Sequence, residues 1–174
     1  RGKTLGILGF GRIGRSLASY ALGCGMKVIA TDIHASNGVV ELEINGDTIS
    51  VDCPLVSLED LLKESDMLSL HTPAQEDGRA VIGEEQFKLM KQGAFLINAA
   101  RGGVVDEDAL LHALDSGKLL GAALDVFVGE PNPRIDLLSH PAISLTPHTG
   151  AATSEAQDRI GLELASQIAE IASV

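Results

Sequence analysis

Cysteine is scarce in this chain. Only Cys24 and Cys53 occur among 174 residues. Neither sits in a C-x-x-C pair, and two thiols cannot build a disulfide framework or a four-ligand zinc site, so reduced cytoplasmic thiols and no metal are expected. Positive charge is scarce too. Thirteen Lys and Arg face 24 Asp and Glu, giving a net charge of -11 and a pI near 4.7, which argues against nucleic acid or an anionic membrane as partner. No apolar run approaches the roughly 20 residues of a membrane span, so a soluble protein is predicted. Internal repeats, low-complexity tracts and linkers are lacking, and so are an initiator Met and a leader segment. The first strand pattern begins almost at residue 1, and residues 1–174 read as one domain excised from a longer chain.

What the chain does have is a glycine-rich turn in a telling place. Thr4-Leu5-Gly6-Ile7-Leu8-Gly9-Phe10-Gly11-Arg12-Ile13-Gly14 reads as a strand, a turn and the start of a helix. Gly9 permits the sharp strand-to-helix turn, Gly11 lets backbone N–H groups approach a pyrophosphate, and Gly14 lets the helix pack closely on the sheet. The helix beginning near Arg12 aims unpaired N–H groups and its positive dipole end at the phosphates, so a strongly acidic chain can still hold a dianion. Lys27 to Thr31 reads as a second buried strand ending in Asp32, whose carboxylate suits a ribose diol and repels a 2′-phosphate. No Arg or Lys lies between Asp32 and Val51, which favours NAD over NADP. Gly2-Lys3-Thr4 could pass for the end of a P-loop, but a strand rather than a helix follows it.

Strands alternate with helical patterns through the rest of a chain that is 45% hydrophobic. The expected fold is therefore α/β, a Rossmann-type doubly wound, mostly parallel sheet with helices on both faces. Asn45-Gly46 inside the partly alternating run Val39 to Val51 predicts a small hairpin. Ser57 followed by Asp60 predicts a capped helix to Glu64, and Asp66 to His71 a core strand that stops before Pro73. A helix is expected over Glu84 to Lys91, then a strand from Ala94 to Asn98. Asp106-Glu107-Asp108 places acid on the first turn of a helix to Ser116. Strands at Gly121–Val126 and Ile143–Leu145 and a helix from Thr153 to Ile171 complete the pattern.

Ligands of open α/β sheets bind at loops following the strands. Four segments qualify: His71-Thr72-Pro73, Asn98 to Gly103, Asp125 to Pro131, and Pro147 to Thr153. Together they could bring an Arg, a Glu and a His to one sheet edge, a set suited to acid–base chemistry beside a nicotinamide. His71 also ends a strand and is a rival acid–base candidate to His148. His34, His112 and His140 read as surface residues, and Asp115 and Glu155 as parts of solvated helix faces.

Four ordered motifs, G-F-G-R-I-G, N-A-A-R-G-G-V-V-D-E, G-A-A-L-D-V-F-x-x-E-P and P-H-T-G-A-A-T, closely resemble the cofactor domain of the D-isomer-specific 2-hydroxyacid dehydrogenases from Gly2 to about Ala169. Within that family the D-3-phosphoglycerate-oxidising branch of serine biosynthesis is the most similar. The alternatives are glyoxylate or hydroxypyruvate reductases, D-lactate or formate dehydrogenases, and non-enzymatic NAD-sensing corepressors of the same fold. The resemblance implies NAD as cofactor, a small 2-hydroxy or 2-keto acid as substrate, and a homodimer. It implies that Arg101 binds the substrate carboxylate or carbonyl oxygen, that His148 exchanges the hydroxyl proton, and that Glu130 orients His148. It places Gly9, Gly11, Arg12, Ile13 and Gly14 at the phosphates and Asp32 at the ribose. Thr72, Pro73, Ala99, Ala100 and Arg101 would line the cleft, with His148, Gly150 and Ala151 beside it and Asp125 at the carboxamide. The chain departs from the family where threonines are common after His71-Thr72-Pro73, carrying Gln75 and Gly78 there, and its Asn45-Gly46 hairpin is longer than the family's. The family's substrate domain is formed from both ends of a longer chain, which implies that these residues alone bind NAD but turn over poorly.

Overall fold

The computed structural model describes residues 1–172. Six parallel strands form one sheet: β1 (Thr4–Leu8), β2 (Lys27–Thr31), β5 (Met67–Leu70), β6 (Ala94–Asn98), β7 (Leu119–Leu124) and β8 (Ile143–Leu145), in the order β2-β1-β5-β6-β7-β8. Helix α1 (Arg12–Gly23) joins β1 to β2; α2 (Leu58–Glu64), α3 (Glu84–Leu89), α4 (Glu107–Asp115) and α5 (Ile135–Ser139) fall between the later strands, and α6 (Ser154–Ala172) ends the described chain. This is the doubly wound parallel architecture expected from the alternating pattern.

Side-chain alternation along the strands divides the core in two. Leu5 and Ile7 of β1 join Ala18 and Ala21 of α1 and Val28 and Ala30 of β2 on one face. Leu8, Leu68, Leu70 and Leu96 point the other way, into a larger cluster with Leu61, Phe87, Leu110 and Leu137 from α2 to α5. Each of the buried Leu, Ile, Val and Phe side chains contributes about 1.5–3 kcal/mol of transfer free energy, and each alanine methyl under about 1 kcal/mol.

The hairpin forms as β3 (Val39–Ile44) and β4 (Asp47–Asp52), paired antiparallel. Asn45 and Gly46 carry φ of 53° and 89°, the two left-handed residues that match a tight turn to strand twist. Ser57 caps α2 by accepting the N–H of Asp60. Three expectations need correction. Asp106 lies outside the first turn of α4 and is its N-cap, accepting the Ala109 N–H. Strand β7 spans Leu119–Leu124 rather than Gly121–Val126; the last ladder bond is that of the Asp125 N–H to the Asn98 carbonyl, and the loop begins there. Helix α5 was not anticipated; its five residues are too few to show a helical period.

Candidate active site

The chain runs from β1 outward to β2 and returns to β5 on the other side of β1, so the loops after β1 and β5 part and leave a crevice at the carboxyl ends of the strands. The glycine turn fills the floor of this switch point. Gly9 has a φ of +95°, and a β-carbon there would lie 2.6 Å from the carbonyl oxygen of His71, so a side chain is excluded on both counts. A β-carbon on Gly14 would lie 2.2 Å from the Gly9 carbonyl oxygen; its absence is what seats α1 against the turn. Gly11, by contrast, faces open space. It is the N-cap of α1, supplies no side-chain cap, and no acidic residue occupies the first turn. The first N–H groups of α1 are therefore left for an outside anion, the arrangement a pyrophosphate requires.

Asp32 follows β2 directly. Its Oδ2 accepts the Phe10 N–H at 2.6 Å, and its Oδ1 accepts the N–H groups of His34 at 2.6 Å and Ala35 at 3.0 Å. Burial raises its pKa, but the bonds from His34, Phe10 and Ala35 together outweigh that and hold the carboxyl below the usual range. The carboxylate is thus charged at neutral pH and tied to the glycine turn. Arg15 closes the same region from above, donating to the Val39 carbonyl and to Asn37 and stacking 4.7 Å over the Phe10 ring. It is already committed and is not a free cation for a 2′-phosphate.

Ile13, His71, Thr72, Pro73, Ala99, Ala100 and Arg101 line one cleft, bringing the β1, β5 and β6 loops together. Thr72 Oγ1 is buried in that wall with no hydrogen-bond partner, the one such side-chain atom among the described residues. His71 Nε2 sits 2.9 Å from Ser69 Oγ, and burial pushes the imidazole pKa down, so the ring is neutral at neutral pH. Arg12 does not reach toward the phosphate position; it pairs with Glu163 of α6 at 3.0 and 3.3 Å.

Further along the same sheet edge, His148 Nδ1 lies 2.7 Å from Glu130 Oε2. The other oxygen of Glu130 accepts the Phe127 N–H at 3.1 Å. The His148 contact and then the Phe127 bond hold the Glu130 carboxyl below the ordinary range, against partial burial and the nearby Asp125. Among the described residues the ring's Nε2 has no hydrogen-bond partner. His148 itself adopts a φ of +53°, uncommon for a residue with a β-carbon. Asp125 maintains that turn: its carboxylate accepts from Thr146 Oγ1, from the N–H and hydroxyl of Thr149, and from the Gly150 N–H. Burial raises the Asp125 pKa, but these donors more than offset it. Three of these donors reach Oδ1 and only the Gly150 N–H reaches Oδ2, so Oδ2 keeps one acceptor site beyond those its own loop fills. Ala151, next along, offers its carbonyl to Gln157 at the start of α6.

Arg101 is exposed at the end of β6, with Nη1 on the Ala100 carbonyl at 2.6 Å. Its backbone is set by Asn98, a residue not singled out as part of the site from sequence. Asn98 is 2% exposed; its Oδ1 accepts the Ala100 N–H and its Nδ2 donates to the Arg101 carbonyl. The signal was present in the final position of a buried strand, where a polar amide can only be there to bond. Gly102 presses the Arg101 turn against the next loop, since a β-carbon would meet the Phe127 carbonyl oxygen at 2.3 Å. Arg101, Glu130 and His148 thus sit on three adjoining loops.

A family model for the NAD-binding domain of D-isomer specific 2-hydroxyacid dehydrogenases matches residues 1–150. The chain belongs to this family. Its cofactor is NAD, in keeping with the uncapped α1 and the charged Asp32. A hydroxypyruvate reductase of Thermotoga maritima is 44% identical over 170 residues, covering 96% of this chain and 52% of the relative. A chloroplastic D-3-phosphoglycerate dehydrogenase of Arabidopsis thaliana is 43% identical over 169 residues, covering 97% of the chain and 26% of that relative. Among solved structures, a glyoxylate reductase from Paecilomyes thermophila superposes with a TM-score of 0.81 at 38% identity, covering 93% of this chain and 47% of that one. The chain therefore spans from a quarter to about half the length of these relatives. No helix among the described residues is long and apolar enough to cross a membrane, and no group of His, Cys, Asp and Glu among them could hold a metal ion.

Proposed function

We propose that this chain is the cofactor domain of an NAD-dependent D-3-phosphoglycerate dehydrogenase, acting at the entry to serine biosynthesis. The observation that carries the dehydrogenase reading is the His148–Glu130 contact at 2.7 Å on the strand-end edge that also bears Arg101. With Nδ1 fixed on the carboxylate, His148 presents Nε2 outward, positioned to take a proton from a substrate hydroxyl and return it in the reverse direction. Glu130 orients the ring and stabilises the imidazolium that forms. Arg101 offers a planar fork to the substrate carboxylate and to negative charge developing on the adjacent oxygen. When bound, NAD would supply the acceptor for a hydride from C2, and His148 would take the hydroxyl proton, so that the two electrons and two hydrogens lost by the hydroxy acid are accounted for. His71 is a poorer choice: burial disfavours the imidazolium that proton uptake would form, no carboxylate among the described residues contacts the ring, and its Nε2 is already engaged with Ser69.

The phosphoglycerate assignment rests on the motif resemblance and on the 43% identical plant relative. It is tested with the full-length protein, NADH and three keto acids in parallel: 3-phosphohydroxypyruvate, hydroxypyruvate and glyoxylate. A kcat/KM highest for the phosphorylated acid supports it. A higher value for either other acid moves the protein among the reductases, and no turnover of any of them favours a dehydrogenase of another 2-hydroxy acid, such as D-lactate, or an NAD-sensing, non-enzymatic role. Because the relatives carry from nearly as much chain again to about three times as much, the 174 residues alone are expected to bind NADH and turn over substrate poorly, in a protein that works as a cytoplasmic homodimer.

A further inference from the structure

Glu107 is a charged residue in an unexpected environment. It opens α4 and retains only 8% of its surface exposure, whereas its neighbours Asp106 and Asp108 are exposed. Its Oε1 accepts the N–H of Val128 at 2.7 Å, across 21 residues of sequence. Val128 lies in the loop after β7, between Phe127, whose N–H holds Glu130 Oε1, and Glu130 itself. The same end of α4 grips the far side of this loop, where Asp108 pairs with Arg134 at 2.7 Å. A carboxylate costs several kcal/mol to bury without compensation, and the start of a helix, with its free N–H groups and positive dipole, is a place where that cost is offset.

We infer that Glu107 is a positioning residue for Glu130: it clamps the Val128 N–H so that the Phe127–Glu130 turn presents one carboxylate oxygen to its own backbone and the other to His148. It touches neither the cofactor crevice nor His148 and acts only through the loop. This inference rests on the catalytic reading of Glu130, but the geometry it asserts can be measured without turnover. The groups that face Glu130 are His148 from the neighbouring loop after β8, and Asp125 and the Phe127 N–H from its own loop after β7. Loosening the loop releases the His148 and Phe127 contacts together, so the Glu130 carboxyl should return toward an ordinary glutamate.

The test is carbon-13 NMR titration of the glutamate carboxyls in the 174-residue chain, comparing Glu107→Gln, Glu107→Asp and Glu107→Ala. Gln keeps an acceptor at the same reach without charge. Asp keeps the charge at the start of α4 but withdraws it by one carbon–carbon bond, about 1.5 Å, out of range of Val128. The expected result is a wild-type midpoint for Glu130 in the Gln variant and a midpoint raised by roughly half a pH unit or more in both Asp and Ala. The Asp32 carboxyl, followed by the same titration of labelled aspartates and lying after β2 at the other end of the strand order, should not move in any of them. A Gln variant that behaves like Ala, or an Asp variant that behaves like wild type, would overturn the clamp, as would an unchanged Glu130 midpoint in all three. If Ala does not fold, the Asp and Gln pair decides; if neither Ala nor Asp folds, Glu107 is a stability element and the positioning role fails. Failure of the dehydrogenase reading would show separately, as absent turnover by the full-length protein with an intact Glu130 response.

Discussion

Replacing Asp32 with asparagine should weaken NADH binding about 10- to 150-fold while largely removing the preference over NADPH. The magnitude follows from how the carboxylate is already used. A carboxylate offers about four lone-pair sites, and three are occupied by the N–H groups of Phe10, His34 and Ala35. One strong bond to a ribose hydroxyl remains, and a hydrogen bond to a charged group contributes about 1.5–3 kcal/mol, which is one to two decades in affinity. The amide of asparagine also turns an N–H donor toward at least one of those backbone N–H groups, so the loop after β2 loosens as well. That second effect weakens both cofactors alike, whereas loss of the charge acts in opposite directions. It removes a ribose acceptor from NADH and a repulsion from the 2′-phosphate of NADPH. The ratio of the two dissociation constants therefore isolates the ribose interaction from loop disorder. Calorimetric titration of wild type and variant with each cofactor, beside thermal unfolding to show that both fold, gives the numbers. An unchanged ratio, with both affinities reduced together, would refute the assignment of Asp32 to the ribose and leave it as a staple of the glycine turn.

Three further outcomes are expected. Asp125 has a depressed pKa in the folded state, so its contribution to stability is present above the unfolded carboxyl pKa near 4 and is lost as pH falls through the folded value; the Tm gap between wild type and Asp125→Asn should be wide at pH 7 and begin to narrow only as pH falls below about 4, and a gap independent of pH would count against the loop bonds described. Gly14→Ala forces a β-carbon to within 2.2 Å of the Gly9 carbonyl and should cost about 1–3 kcal/mol in denaturant unfolding together with NADH affinity, so a variant that binds and unfolds normally would mean that α1 can slide. In the full-length protein His148→Gln should lower turnover by about 10²–10⁴-fold with NADH affinity held, whereas His71→Ala should retain most turnover; the reverse ranking would transfer the acid–base role to His71.

The parts of this fold that were readable from sequence are those in which one residue type has one physical explanation. Gly9, Gly11 and Gly14 could only make a tight turn with an exposed helix start, Asn45-Gly46 could only make a hairpin turn, and the apolar runs at Ala94–Asn98 and Lys27–Thr31 could only be buried strands in so short a space. Acidic residues have no such uniqueness. Asp106, Glu107 and Asp108 read as one charged helix start, yet they become an N-cap, a buried clamp and a surface ion pair, because a rotation of about 100° per residue aims successive side chains at solvent, loop and neighbour. The Arg12 side chain was unreadable for a related reason. Its N–H position follows from the glycine pattern, but a long exposed side chain goes to whichever carboxylate the next element supplies, here Glu163.

The same distinction explains how so acidic a chain builds an anion-binding cleft. Asp32, Asp125, Glu107 and Glu130 each accept at least one backbone N–H from a loop at the carboxyl edge of the sheet. Charge-assisted bonds of this kind are roughly twice as strong as neutral ones, and four of them tie down loops that have no strand ladder to hold them. The carboxylates are spent inward on backbone donors, while the uncapped start of α1 and the exposed Arg101 face the crevice. Net charge describes the solvated helices; the sign of the cleft is set by which few groups are left unpaired, and those are donors and a cation.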